Sequence, residues 1–169
     1  MVADITERFA SSMEAANVES TRVEAAAFEA ALEKVVESPA VGAPLGIEGV
    51  SLEETEVTVP PTPRLLMDAE TGVTRVHGGI AEHGTFVIQS GADGTEPVSL
   101  YPRTHVGVVR ASDLHEDVES VAAWLDEEFD AGRNSAILAT GASATADMGE
   151  LVRGVHGPQT VHAIVITDR

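Results

Sequence analysis

SAILATGASATADMGELVRGVHGPQTVHAIVI, residues 135–166, begins and ends on apolar runs and holds a polar, glycine-rich stretch between them. SAILAT (135–140) and TVHAIVI (160–166) have the near-continuous apolar character of strands covered on both faces of a parallel sheet. Gly141 permits a sharp turn after the first strand. Residues 147–153 are expected to form a short helix, with Gly154 just past its end and Pro158 barring its continuation. Strand, helix, strand in this order points to an α/β fold.

The flanking sequence extends the pattern. THVGVV (104–109) reads as another buried strand. Residues 117–130 are expected to be helical, with Val118, Val121, Ala122, Leu125 and Phe129 facing the core and Gly132 as the stop. Trp124 is read as core or edge packing. VTRVHGGIAEHGTFVIQSG (73–91) reads as two strands joined by a tight, glycine-containing connection, and GADGTEP (91–97) as a turn. Farther upstream, 4–15 has Ile5, Phe9 and Met13 at helical spacing, 17–23 alternates as a strand, and 24–37 presents Phe28, Ala31, Leu32 and Val35 on one helical face. Residues 38–64 hold short extended pieces at most, interrupted by Pro60, Pro61 and Pro63. The chain reads as one domain over 1–169: a varied helical and irregular part (1–72), then an α/β core (73–169).

Composition narrows the function. The 169 residues carry 28 acids against 10 bases, a formal charge of -18, and only Lys34 among the bases is a lysine. The acids are spread along the chain rather than blocked, which suits a folded protein of a salt-rich, halophilic cytoplasm, where self-repulsion is screened. The same field repels a phosphate backbone and argues against nucleic-acid binding. No apolar run reaches the length of a membrane span, and the N-terminus lacks a signal-peptide pattern, so the expected location is cytoplasmic. There is no cysteine, which excludes disulfides, a Cys nucleophile and thiolate-bound iron–sulfur clusters on this chain. His77 and His83 are six residues apart and no HExxH motif is present, so no metal site is expected. No GxGxxG fingerprint marks a nicotinamide or flavin cofactor either.

The polar stretch invites an anion. If Thr140 and Gly141 end a strand at the carboxyl edge of the sheet and a helix begins near Asp147, free amides and the helix dipole favour a carboxylate or phosphate there. Ser143 and Thr145 offer hydroxyl donors. Ser, Thr and Asp are also ordinary helix caps, and Asp147 serves either as cap or as ligand contact. GASAT is not a Walker A loop. His156 is either an exposed loop histidine or a functional one. Arg153 either holds an anion or pairs with a nearby Glu.

TGASATADMGELVRGVHGPQTVHAIVI resembles the C-terminal signature of the LUD (lactate utilisation) domain family. That signature reads Thr-Gly-Pro-Ser-x-Thr-Ala-Asp-Ile-Glu, then Leu-Val-x-Gly-Val-His-Gly-Pro, then a strand. Thr140, Gly141, Ser143, Thr145, Ala146 and Asp147 match the first block; Leu151, Val152, Gly154, Val155, His156, Gly157 and Pro158 match the second. GIAEHGTFVI (79–88) and LYPRTHVGVV (100–109) resemble two upstream family stretches, the latter placing His105 on the pattern. Ala142 replaces the usual Pro, Met148-Gly149-Glu150 replaces Ile-Glu, and His83 stands where Thr is common. The chain is also shorter than typical members before residue 73.

The resemblance implies a Rossmann-like three-layer α/β/α sandwich with a mostly parallel sheet, similar to the sugar-phosphate isomerase and CoA-transferase superfamily. It implies a non-cluster component of a system that oxidises lactate to pyruvate, with the iron–sulfur clusters on partner proteins. His156, Asp147, Glu82 and His105 are then the catalytic candidates, the imidazoles as proton carriers. Thr140, Gly141, Ser143, Thr145, Gly84, Thr85 and Gly157 are the candidates for ligand contact. Glu82 reads equally as a solvated acid, and Thr85 as a strand start. Two other readings stand beside this one: a stand-alone enzyme or binding module for a phosphate- or CoA-type metabolite, and a scaffolding or regulatory subunit without catalysis. A homo-oligomer is compatible with all three.

Overall fold

The computed structural model describes residues 2–147 and 150–169, with side chains described for 5–144 and 152–169. α1 (Val2–Ala15) leads into β1 (Glu19–Val23), and a 3-10 turn at Ala25–Ala27 runs into α2 (Phe28–Leu32). β2 (Ala40–Gly42), β3 (Val57–Thr58) and α3 (Pro63–Asp68) follow. Then come β4 (Thr71–Arg75), β5 (Gly78–Ile80), β6 (Thr85–Gln89), α4 (Thr95–Leu100), β7 (Thr104–Arg110), β8 (Leu114–His115) and α5 (Val118–Asp130). β9 (Ala136–Thr140), β10 (Ala144–Asp147), β11 (Glu150–Arg153) and β12 (Thr160–Ile166) complete the chain. No described helix is long and apolar enough to cross a membrane.

Six strands form the central sheet in the order β1-β12-β7-β4-β2-β3, every neighbouring pair parallel. The architecture is a mixed α/β fold of Rossmann-like α/β/α type. β7 and β12 lie inside the sheet and are covered on both sides, so all their residues except the strand ends are buried, and most of these are apolar. On one face Phe28, Leu32, Leu45 and Ile47 pack against Val106, Val108, Ile164 and Ile166. On the other, Phe9 and Met13 of α1 join Phe86 and Ile88 against Val109, Ala163 and Val165. Phe86 and Ile88 belong to a second, four-stranded sheet of order β8-β5-β6-β9, antiparallel except for β5 with β8.

Several expectations change here. The stretch 73–91 holds three strands, divided between two sheets, where two strands were expected. The chain crosses over at adjacent amides: Val76 N–H donates to Val108 O in the central sheet, and His77 N–H to Val87 O in the small one. The turn at 91–97 ends early, because Thr95 already begins α4. Pro63 does not break structure; it opens α3, where its missing N–H is no loss, and Thr62 Oγ1 caps the helix by accepting from Leu65 N–H. The helix expected over 24–37 is confined to the 3-10 turn and α2.

The helix expected over 147–153 is a β-hairpin instead. β10 and β11 pair antiparallel, Thr145 opposite Val152 and Asp147 opposite Glu150. A run this short does not separate the helical period from the strand period.

α5 forms where expected but buries a narrower stripe. Val121 is 1 % exposed, and Trp124 and Leu125 pack beside it, whereas Val118 and Phe129 are 50 % and 43 % exposed and Ala122 is exposed too. The short strands of the small sheet offer too little surface to cover more. The helix therefore depends more on its cap. Asp117 Oδ1 accepts from Ser120 N–H at 2.8 Å, and Ser120 Oγ accepts from Asp117 N–H at 3.3 Å. Asp117→Ala is expected to lower stability, read as a lower urea midpoint at unchanged slope.

Candidate functional site

β9 ends at Thr140 and the chain turns through Gly141, whose φ of 71° is left-handed; a Cβ there would approach Ala16 O to 3.1 Å. Beneath this corner lies a cavity of about 310 Å³ between the two sheets. Ile137, Ala139 and Thr140 form one wall, with Phe86 and Ile88 of β6. His105 and Val161 form the facing wall, Ser99 and Leu100 close one end, and Gly141–Ala144 with His156–Pro158 form the rim.

The position differs from expectation. β9 belongs to the small sheet, antiparallel to β6, so its carboxyl end does not lie on the carboxyl edge of the parallel sheet. It abuts the amino ends of β7 and β12, where Thr160 pairs with Thr104 and Val161 with His105. Among the described residues no helix begins at the corner, and the helix end that does reach the cavity is the carboxyl end of α4, at Ser99 and Leu100. The Ser143 amide is committed as well: its N–H donates to Pro158 O at 2.8 Å, and Ser143 O accepts from Gly154 N–H at 2.9 Å. Of the expected anion cradle, the hydroxyls of Thr140 and Ser143 and the two imidazoles remain as cavity-lining groups.

His105 is buried, with Nε2 2.8 Å from Thr74 Oγ1 and its ring edge-on to Phe86 at 5.8 Å. Burial pushes its pKa down to about 4, so at neutral pH the ring is uncharged. In that state one nitrogen donates and the other accepts, which suits hydrogen bonding to a polar ligand, while a pKa this low makes the ring a weak proton acceptor at neutral pH. His156 is exposed and sits at the rim, in reach of solvent and cavity together. Thr140 Oγ1 shares a 2.6 Å hydrogen bond with Thr85 Oγ1, which places Thr85 directly behind the wall.

The structure therefore gathers Thr140, Gly141, Ser143, His105, His156 and Gly157 around one space. Gly84 and Glu82 are not in its lining. Gly84 lies in the β5–β6 connection against the backbone of Ser12 and Met13. Glu82 is half-exposed there, its carboxylate 3.7 Å from His83 Nδ1. The backbone of Thr145 and Asp147 is in β10, but their side chains lie outside the described residues. Among the described residues no three His, Asp or Glu side chains gather as a metal-binding group.

Thr74, Phe86 and Ser99 belong to the site and had no signal in the sequence. Thr74 lies 31 residues before His105, and only the parallel pairing of β4 with β7 brings the two together.

The LUD domain family model matches residues 61–166. "Lactate utilization protein C" of Geobacillus sp. (strain WCH70) is 34 % identical over 105 residues, covering 60 % of this chain and 44 % of that protein. The Escherichia coli protein named "Uncharacterized protein YkgG" is 33 % identical over 105 residues, covering 59 % of this chain and 45 % of its own length. The chain thus spans less than half the length of these relatives. A crystal structure of a DUF162 family protein from Deinococcus radiodurans matches with a TM-score of 0.74 at 24 % identity, covering 98 % of each chain. That likeness concerns the fold.

Proposed function

The chain belongs to the LUD domain family, and from that membership we propose that it serves lactate utilisation as a component without iron–sulfur clusters, binding a small carboxylate in the cavity between its sheets. The observation that carries this reading is the convergence of Thr140, Ser143, His105 and His156 on one cavity within the family-matched segment. Hydroxyls and a neutral imidazole N–H supply donors to a carboxylate. A space of about 310 Å³ accommodates a three-carbon acid together with water.

Converting lactate to pyruvate removes two electrons and two protons. His156 at the rim is suited to take the hydroxyl proton and pass it to solvent, His105 holds the substrate from the buried side, and the Cα–H bond breaks with its proton and its two electrons leaving to the partner proteins. A chain without cysteine cannot ligate a cluster through thiolates, so the electrons are assigned to cluster-bearing partner proteins. Glu82 has no place in this scheme.

The experiment is a thermal-shift series in molar salt, the medium the acid excess suits, with lactate, pyruvate, sugar phosphates and CoA. Lactate or pyruvate at about 100 times its Kd should add about 2.7 kcal/mol, a rise on the order of 5–10 °C for a chain of this size. Ser143→Ala and His156→Ala should abolish the rise without lowering the ligand-free Tm by more than about 2 °C, since neither side chain is buried. A shift that appears only when cluster-bearing partners are added still supports the reading. A response to sugar phosphate or CoA alone would favour a stand-alone enzyme, and silence to every ligand with and without partners a scaffold.

A further inference from the structure

β9 is the end strand of the small sheet. β6 holds one of its edges, and among the described residues no backbone hydrogen bond leaves the other. None of its five residues is buried, although all five of β6 are. Leu138, at its centre, is 50 % exposed. An exposed apolar strand edge is a template for pairing, and folded proteins normally blunt it with charge. This one is not blunted: residues 134–146 contain no Asp, Glu, Lys or Arg, in a chain of net charge -18. The other end strands of the two larger sheets differ. β1 carries Glu19, with its side chain 91 % exposed, and Arg22. β3 and β8 are two residues long.

We propose that two copies of this chain associate by antiparallel pairing of β9 with β9 about a two-fold axis at Leu138. The occupant follows from charge. A partner selected for its basic residues would need acids at the contact, and this edge offers none. Two chains of the same strong charge, in turn, associate with least repulsion where both are uncharged. The strand is also self-complementary about its centre. Leu138 meets Leu138, and Ile137 meets Ala139 of the second copy, each pair sharing a face of the joined sheet. Ile137 and Ala139 line the cavity, so the second copy continues the cavity wall across the axis.

Sedimentation equilibrium of the full chain in molar salt tests this, with Leu138→Lys, Leu138→Glu and their equimolar mixture. The wild type is expected at twice 17.6 kDa. Each single variant puts like charges face to face at the axis and should weaken association by about 100-fold or more, giving monomers. The mixture should return to the dimer, because Lys then opposes Glu. Circular dichroism melts of the variants confirm a folded monomer, which a half-exposed position permits. A wild type monomeric at every concentration that stays in solution would overturn the proposal. So would variants that remain dimeric, or a mixture that stays monomeric, each of which places any association elsewhere.

Discussion

Gly72→Ala is expected to lower stability by about 3 kcal/mol or more, a fall in Tm on the order of 6–12 °C for a domain of this size. Gly72 lies in β4, paired with Val41 on one side and His105 on the other. A Cβ built there would stand 2.2 Å from the Val98 carbonyl oxygen and 2.9 Å from Pro102 Cγ. The obstructing atom is helix backbone, and α4 cannot move off without losing the buried contacts of Val98 with Val41 and Ala69. Relief requires separating α4 from the sheet, and α4 also supplies the Ser99 end of the cavity. Gly91→Ala is the control, since its Cβ would meet only the Asp93 side chain. Scanning calorimetry of both variants in molar salt decides the matter. A Gly72→Ala transition within about 2 °C of the wild type would mean that the α4–β4 contact yields more easily than a closely packed interior should.

The second large effect is acid destabilisation centred on His105. Burial moves its pKa from 6.5 to about 4 in the folded state. Folding thus favours the neutral ring. The stabilisation is complete above pH 6.5 and declines as the pH falls toward 4; the shift amounts to about 3 kcal/mol. Burial also lowers the pKa values of His77, His115 and His162, which adds to the loss in the same window. Glu128 acts at lower pH. Its hydrogen bonds from Arg133 and then Gln89 hold it down to about 2, so its contribution is lost below about 4.5. Denaturant midpoints between pH 7 and 4.5 should fall steeply in the wild type and less in His105→Gln. The His105 ring protons should titrate in the folded protein near pH 4. Equal midpoints at pH 7 and 4.5 would show that His105 is better hydrated than its burial indicates.

The parts of the fold that were legible in sequence are those where burial alone selects the residues. β7 and β12 read correctly because a strand covered on both faces admits little but apolar side chains. α1 read correctly because Phe9 and Met13 repeat at the helical period and do face the core. The division into two sheets was hidden, because it is made between the amides of Val76 and His77, and no side-chain pattern records where an amide points. The hairpin of β10 and β11 was hidden because four-residue runs fit either period. That misreading carried the expected anion site to the wrong edge of the sheet and gave it a helix it lacks. The residues themselves still met: Thr140, Ser143, His105 and His156 surround one cavity, assembled from the amino ends of β7 and β12 and the carboxyl end of β9. Thr74 could not be foreseen, being contributed by the neighbouring strand.

The pair of hydrogen bonds at Ser143, one to Pro158 and one from Gly154, fastens the His156 loop to the end of β9 at two points. Lifting that loop away from the rim would break both fastenings together. Widening the mouth beside Ser143 therefore costs two main-chain hydrogen bonds at once.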